Sequence, residues 1–354
     1  MKTSGLLMST IVAVAICSCS DKNDASFEVS IKGHIIKVDP VNVDKRPAYL
    51  FGDRLYAWDN HCYLYAGKLS SAEWQKSEKI LVSGYANNKF ESVALSCDDN
   101  GALYVLDRSF NEYKPISLTK IQHIESIASV NDQTTWEKYD FEKLSSFYQR
   151  GNTFVVLSDS TILVTGAPMN DMNHVFSIIN FKNQKVTALD YWPDDSLPAY
   201  DICDKLQRYI CDSGILWNKK DRFVYWSGWE ALAFIFSIDG EKTRILKNIY
   251  ANPFPAKEIP ATERLDCCAD SNRIYFLLRN SDKKGVKYKN YEHSYIFGNT
   301  VEVYDWNGVK QQIIHLDKYG QQIMLSKNGK TLYLFSGDMV DGSNKYIYSY
   351  DVSN

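Results

Sequence analysis

One hairpin signature, repeated along most of the chain, constrains the fold more than any other feature of this sequence. A β-run, a tight polar turn and a second run with an aliphatic-aromatic centre recur six times. The turns are Phe51-Gly52-Asp53-Arg54, Asp98-Asp99-Asn100-Gly101, Ser158-Asp159-Ser160, Asn218-Lys219-Lys220-Asp221, Asp270-Ser271-Asn272 and Lys327-Asn328-Gly329. With Leu55, Leu103, Leu163, Val224, Ile274 and Leu332 as markers of the runs that follow, the intervals are 48, 60, 61, 50 and 58 residues. Each interval holds four short strands and their connections, which is one blade of a propeller. Second hairpins are visible too, where Ile179-Asn180-Phe181-Lys182-Asn183, Phe236-Ser237-Ile238-Asp239-Gly240 and Val303-Tyr304-Asp305-Trp306-Asn307-Gly308 place a strand before a turn.

The pattern predicts an all-β chain: a six-bladed β-propeller with four antiparallel strands per blade. The last repeat has three runs of its own, so an N-terminal strand within 27–38 is expected to close the last blade and remove the ring's open edges. Helical pattern is confined to 70–76 and 199–209, short enough to be excursions. The competing architecture is a pair of stacked β-sandwiches, which rarely repeat one hairpin at this spacing.

Residues 1–18 follow a signal-peptide plan, with basic Lys2, an apolar stretch over 6–16 and then small residues and cysteine. The apolar stretch falls short of the roughly 20 residues that span a bilayer. Ile16-Cys17-Ser18-Cys19 resembles a bacterial lipobox, which makes Cys19 the expected lipidation site. Cys17 is the competitor, but it would put bulky Ile16 where a small residue is wanted; an ordinary secretory signal with incidental cysteines is the other reading. Residues 19–26 are polar up to Phe27 and suit a flexible tether, and 27–354 form a single domain. The expected location is therefore exported and lipid-anchored in the cell envelope, at the outer membrane.

Composition narrows the partners. Forty basic residues against 43 acidic ones provide no basic stripe to hold phosphates, so nucleic acid is not expected. Six cysteines follow the signal: Cys62, Cys97, Cys203, Cys211, Cys267 and Cys268. An even count permits disulfides, with Cys203 and Cys211 the best-placed pair, but six thiols packed as small apolar side chains fit equally. No Cys-x-x-Cys pair points to zinc, and no cofactor is implied. Asp98-Asp99-Asn100-Gly101 lacks the ligand ladder of a calcium loop and reads as a plain turn.

Four segments carry a family resemblance: Leu103-Tyr104-Val105-Leu106-Asp107-Arg108-Ser109, Leu157-Ser158-Asp159-Ser160-Thr161-Ile162-Leu163-Val164-Thr165-Gly166, Asp221-Arg222-Phe223-Val224-Tyr225-Trp226-Ser227-Gly228 and Val303-Tyr304-Asp305-Trp306-Asn307-Gly308. With them the mature chain resembles the TolB-like six-bladed propeller lipoproteins of Gram-negative bacteria. The resemblance implies a fold and a lipid anchor; it carries over no functional residue.

Strands that zigzag within a blade divide their connections between two faces. The long connections fall on the face that holds second-to-third-strand loops and links between blades, so the site is expected there. On that face Trp192, Tyr200, Trp229, Tyr288 and Tyr291 are candidates to stack on a sugar ring or peptide side chain, with Asp194, Glu230 and His293 as polar partners. Burial between blades is the competing fate of each tryptophan. The sequence contains no nucleophile elbow, zinc-protease helix or phosphate loop. The expected function is a binding or scaffolding module for an envelope protein, peptide or glycan. A propeller hydrolase or lyase, with residues from several blades converging at the axial opening, is the alternative.

Overall fold

The computed structural model describes residues 27–37, 49–51, 54–58, 63–69, 78–82, 93–107, 116–122, 124, 130, 132–141, 147–148, 151, 153–168, 171, 173–192, 209–211, 213–227, 232–250, 263–280, 297–337 and 344–353. They are almost entirely strands. In chain order these are β1 (Phe27–Ile31), β2 (His34–Lys37), β3 (Tyr49–Phe51), β4 (Arg54–Trp58), β5 (Tyr63–Lys68), β6 (Glu78–Val82), β7 (Val93–Cys97), β8 (Leu103–Asp107), β9 (Ser117–Ile121) and β10 (Trp136–Asp140). There follow β11 (Phe147–Tyr148), β12 (Phe154–Val156), β13 (Thr161–Thr165), β14 (Ala167–Pro168), β15 (Phe176–Asn180), β16 (Lys185–Ala188), β17 (Ser213–Trp217), β18 (Phe223–Ser227), β19 (Leu232–Asp239) and β20 (Lys242–Tyr250). The chain ends with β21 (Glu263–Ala269), β22 (Arg273–Asn280), β23 (Gly298–Asp305), β24 (Lys310–Gly320), β25 (Gln322–Leu325), β26 (Thr331–Gly337) and β27 (Asn344–Asp351).

Five sheets have four antiparallel strands: β3–β6, β7–β10, β12-β13-β15-β16, β17–β20 and β2-β27-β26-β25. Another sheet has five, in the order β1-β24-β23-β22-β21, and β11 pairs with β14 in a small ribbon. First strands of successive sheets touch in the order β3, β7, β12, β17, β21, β25 and back to β3, which is a propeller arrangement. The expectation of six equal four-stranded blades is thus corrected. Five sheets are of that kind, whereas the sheet of β21–β24 takes β1 as a parallel fifth strand.

The repeated signature has a physical basis at each turn. The first residue of each described turn of an inner hairpin accepts backbone N–H groups that the sheet leaves unpaired. Asp98 Oδ1 accepts from Ala102 N at 2.9 Å, Ser158 Oγ from Ser160 N at 3.2 Å, and Ser326 Oγ from Thr331 N at 2.9 Å. Asp270 Oδ1 takes two amides, from Asn272 and Arg273, both at 2.7 Å. Asn218 Oδ1 takes three, from Lys220, Asp221 and Arg222, at 2.9 to 3.1 Å. Asp98 Oδ2 meanwhile accepts from the Tyr104 hydroxyl at 3.3 Å, so this carboxylate works as a turn residue.

The core lies between neighbouring sheets. Tyr104, Leu106, Ile162, Val164 and Phe181 pack between the β7–β10 and β12–β16 sheets, and Phe176, Phe223, Tyr225, Phe234 and Phe236 continue the packing toward β17–β20. Second strands are covered on both faces, which is why β8 and β18 are buried at every residue and read as unbroken apolar runs. Cys267 and Cys268 project to opposite sides of β21 into two such layers, and burial raises both thiols well above their ordinary value. They serve there as small apolar side chains. Cys203 lies outside the described residues, and with it the expected pairing to Cys211.

Closure departs from expectation in an instructive way. The segment expected as one closing strand is divided: β1 runs parallel to β24, and β2 runs antiparallel to β27, completing the last sheet. Gly33 makes the break. Its N–H donates to Asp317 Oδ1 at 2.9 Å, the same oxygen that accepts from the Tyr350 hydroxyl at 3.1 Å. A Cβ on Gly33 would lie 2.6 Å from the Tyr350 ring, so no larger residue fits without moving a buried tyrosine. The seal therefore spans two sheets and ties them together.

A buried carboxylate links the five-stranded sheet to the β17–β20 sheet on its other side. Glu302 on β23 accepts from the Tyr304 hydroxyl at 2.7 Å, from Lys310 Nζ at 2.7 Å and from the Tyr250 hydroxyl of β20. Burial alone would raise the Glu302 carboxyl, but these donors outweigh it and hold it below the usual carboxylate range. Burial, with Tyr304 and Glu302 alongside, pushes Tyr250 far above the ordinary phenol range, so it stays a donor.

Two predictions follow from these contacts. Gly33→Ala should cost about 1–3 kcal/mol by overpacking against Tyr350, read as a lowered denaturation midpoint in urea; an unchanged midpoint would show that the seal is not tight. Glu302→Gln should cost about 2 kcal/mol at neutral pH by weakening charge-assisted bonds. Because the folded carboxyl titrates below the unfolded one, which lies at about 4.3, the wild-type advantage is complete above that pH. It disappears as pH falls through the lowered folded value. Parallel melts from pH 7 to pH 3 measure it, and a constant difference across that range would contradict the assignment.

Candidate functional site

Alternating strand directions give the ring two unlike ends. One receives the first-to-second and third-to-fourth connections, most of them short turns capped by their own side chains, with 69–77 and 122–135 the longer exceptions. The other, here the loop end, receives second-to-third connections and links between sheets. Most of those connections, among them 38–48, 83–92, 108–115, 193–208, 251–262, 281–296 and 338–343, lie outside the described residues.

What is described of the loop end is a floor of buried polar side chains at strand termini. Asp107 ends β8, Thr165 ends β13, Ser227 ends β18, Ser177 stands second in β15 and Ser213 begins β17; all five are buried. The Ser213 hydroxyl donates to the Ile210 carbonyl at 2.6 Å and lies 3.1 Å from the Thr165 hydroxyl. Ser177 donates to the Gly166 carbonyl at 2.7 Å, and Tyr225 to the Tyr209 carbonyl at 2.6 Å. Burying a hydroxyl is tolerable only with such partners. These groups therefore brace the strand ends and the first residues of the connections that leave them.

Single side chains also tie first strands across the gap between sheets. The Thr153 hydroxyl accepts from Ile215 N at 2.9 Å and donates to Ile215 O at 3.1 Å. Asp266 Oδ2 accepts from Ile323 N at 2.6 Å. Two of the gaps between neighbouring first strands are thereby bridged.

Of the residues proposed from sequence, Trp192 alone among the ligand candidates lies within the described set. It is half-buried, packed on the Phe176 cluster with its ring edge-on to Tyr209 at 5.7 Å. Its neighbour Tyr191 stacks on Phe176 at 5.7 Å, and burial pushes its hydroxyl up to about 12. Trp192 thus has a structural occupation whatever else it does. Cys19, Asp194, Tyr200, Trp229, Glu230, Tyr288, Tyr291 and His293 lie outside the described residues.

The structure adds polar groups that sequence reading did not single out. His174, on the connection between β14 and β15, has Nδ1 2.8 Å from the Leu189 carbonyl and Nε2 3.1 Å from Asp171 Oδ2. The pair joins that connection to the chain leaving β16, and its only sequence signal is an acid three residues before a histidine in a loop. Asp107 is the other addition, a buried carboxylate at a second-strand end. Among the described residues no group of three or more His, Cys, Asp or Glu is placed to hold a metal ion. The described floor consists of buried hydroxyls spent on bonds within the protein, and the groups beside it that keep exposed surface are the Asp171–His174 pair and the half-buried Tyr191 and Trp192.

No family model matches the sequence, and no curated protein matches it. Solved structures do resemble it in shape. A protein described as exported, from Bacteroides fragilis NCTC 9343, is 8% identical with a TM-score of 0.52, over 91% of this chain and 98% of its own. A luciferin-regenerating enzyme is 10% identical with a TM-score of 0.50, over 91% of this chain and 96% of its own. An auxiliary nutrient binding protein from Bacteroides ovatus is 11% identical, over 92% of this chain and 69% of its own, with a TM-score of 0.47. At such identities the likeness is one of fold, and the chain is an all-β protein of propeller arrangement.

Proposed function

We propose that this chain is an envelope-anchored binding module that takes a protein, peptide or glycan partner at the loop end of its ring. The supporting observation is the contrast between the two ends. Turn-end hairpins spend their polar side chains on their own amides, whereas the loop end is a rigid, hydroxyl-braced floor beneath the long connections. Recognition surfaces are commonly loops held on such scaffolds. Trp192, Tyr200, Trp229, Tyr288 and Tyr291 are the proposed stacking residues, with Asp194, Glu230 and His293 as their polar partners.

The reading extends to the whole molecule. The five four-stranded sheets and the five-stranded sheet act together as a six-bladed, TolB-like ring, and Cys19 carries the lipid that holds it at the outer membrane. The tether over 19–26 separates lipid from ring. The neighbour described as exported accords with an envelope location.

Photo-crosslinking in the native envelope tests the site. A photoreactive amino acid at position 229 or 288, on the loop end, should capture a partner that the same probe at position 183, in the turn between β15 and β16, does not. Capture only from position 183 would place recognition at the wrong end. For the alternative of a hydrolase or lyase acting at the axial opening, the favouring observation is Asp107, the buried carboxylate at the loop end; turnover of a glycan or peptide substrate that is abolished in Asp107→Asn, with the fold retained, would replace binding by catalysis.

A further inference from the structure

We propose that the ring meets the membrane at the outer, turn-end corner of the β21–β24 sheet, so that its loop end stands clear of lipid. The inference rests on Cys19 being the anchor and adds an orientation to it.

The point where the chain enters the ring sets this geometry. β1 begins at Phe27, whose backbone partner is Gln312, close to the start of β24 at Lys310. Entry is therefore beside the turn that joins β23 to β24, at the outer edge of that sheet. Eight residue steps separate Cys19 from Phe27, which gives a reach of roughly 28 Å at full extension and about 16 Å for a flexible tether. A compact body of the roughly 330 residues that follow has a radius of gyration of about 20 Å and is about 50 Å across. Even fully stretched, the tether lets the entry point rise only to about the midline of the body. At its relaxed length the entry corner lies in the half that faces the membrane.

The surface at that corner fits a lipid interface. Phe27 is 67% exposed and Val309, which closes the adjoining turn just before β24, 47% exposed. Both are large apolar side chains that the fold leaves uncovered. Lys247, exposed on β20, lies against Gly308 of the same turn, where its alkyl stem covers the glycine and its ammonium is available to anionic headgroups. An apolar pair with a neighbouring cation is the composition of an interfacial contact. The second-to-third connections leave from the opposite ends of the strands, away from this corner.

Full-length protein, purified from membranes and reconstituted in vesicles of phosphatidylethanolamine and phosphatidylglycerol, provides the test. A fluorescent non-canonical amino acid is placed singly at positions 309, 183 and 229, and headgroup-nitroxide lipids serve as quenchers. Quenching at 309 should exceed that at 183 and 229 by at least threefold. Equal quenching at the three positions, or the strongest at 229, with Cys19 shown by mass spectrometry to be acylated, overturns the orientation while leaving the anchor intact. An N-terminal peptide without acyl groups on Cys19 overturns the anchor and the orientation together.

Discussion

A ring of sheets is stable only if its ends are joined, because an open ring exposes both a sheet edge and the apolar face of a terminal blade. In this chain two N-terminal strands make the joint, and one carboxylate sits where they part. Asp317 takes the N–H of Gly33 and the hydroxyl of Tyr350 on the same oxygen, bringing the N-terminal segment, β24 and β27 to one point. Gly33 allows it because the Tyr350 ring occupies the space a Cβ would need. β1 then covers the outer edge of one sheet and β2 that of the next. The two sheets that meet at the seam, each made of late strands completed by one N-terminal strand, are locked side by side.

That closure lets the remaining sheets be simple. Each buries both faces against its neighbours, so the core is a series of layers between sheets and not a single centre. Layers dominated by aromatic and branched side chains need no precise partner, which suits a repeated unit of variable spacing. Polar groups inside this arrangement appear where two sheets must be held in register. Glu302 collects Lys310, Tyr304 and Tyr250 between two sheets, Thr153 doubly bonds Ile215, and Asp266 takes the Ile323 amide. Each has a hydrogen-bond partner on the neighbouring sheet, and for buried Glu302 such partners are the condition under which a polar group stabilises.

Much of the fold was legible in the sequence for definite reasons. Second strands such as Leu103–Asp107 and Phe223–Ser227 are buried on both faces and so appear as unbroken apolar runs, and the turns at 98, 158, 218 and 270 begin with Asp, Asn or Ser because that side chain caps the turn's amides. The divided N-terminal segment was not legible. β1 is an edge strand with Phe27, Glu28 and Ser30 exposed, a pattern that reads the same whichever sheet it joins, and the break at Gly33 depends on a tyrosine at the far end of the chain. The site was less legible still. Trp192 could be named as an aromatic near a loop, but its edge contact with Tyr209 is a tertiary fact. So is the Asp171–His174 pair, which takes its meaning from the Leu189 carbonyl.

Low identity to structures of the same shape has a physical explanation in these layers. At 8% and 10% identity the neighbours with TM-scores of 0.52 and 0.50 share almost no specific side chain with this chain. What they share is the overall course of the chain, and in this protein the doubly buried strands that follow that course are filled by branched and aromatic residues. A scaffold so permissive about its sequence transmits little about function, and one of those neighbours is an enzyme. Fold alone therefore does not assign specificity, and its proposed place in the loop-end connections rests on the contrast between the two ends of the ring. The supports of those connections, Thr165, Ser177 and Ser213, are hydroxyls bonded to the backbone and to each other, so the strands can hold loops of different length and composition without a change in the ring itself.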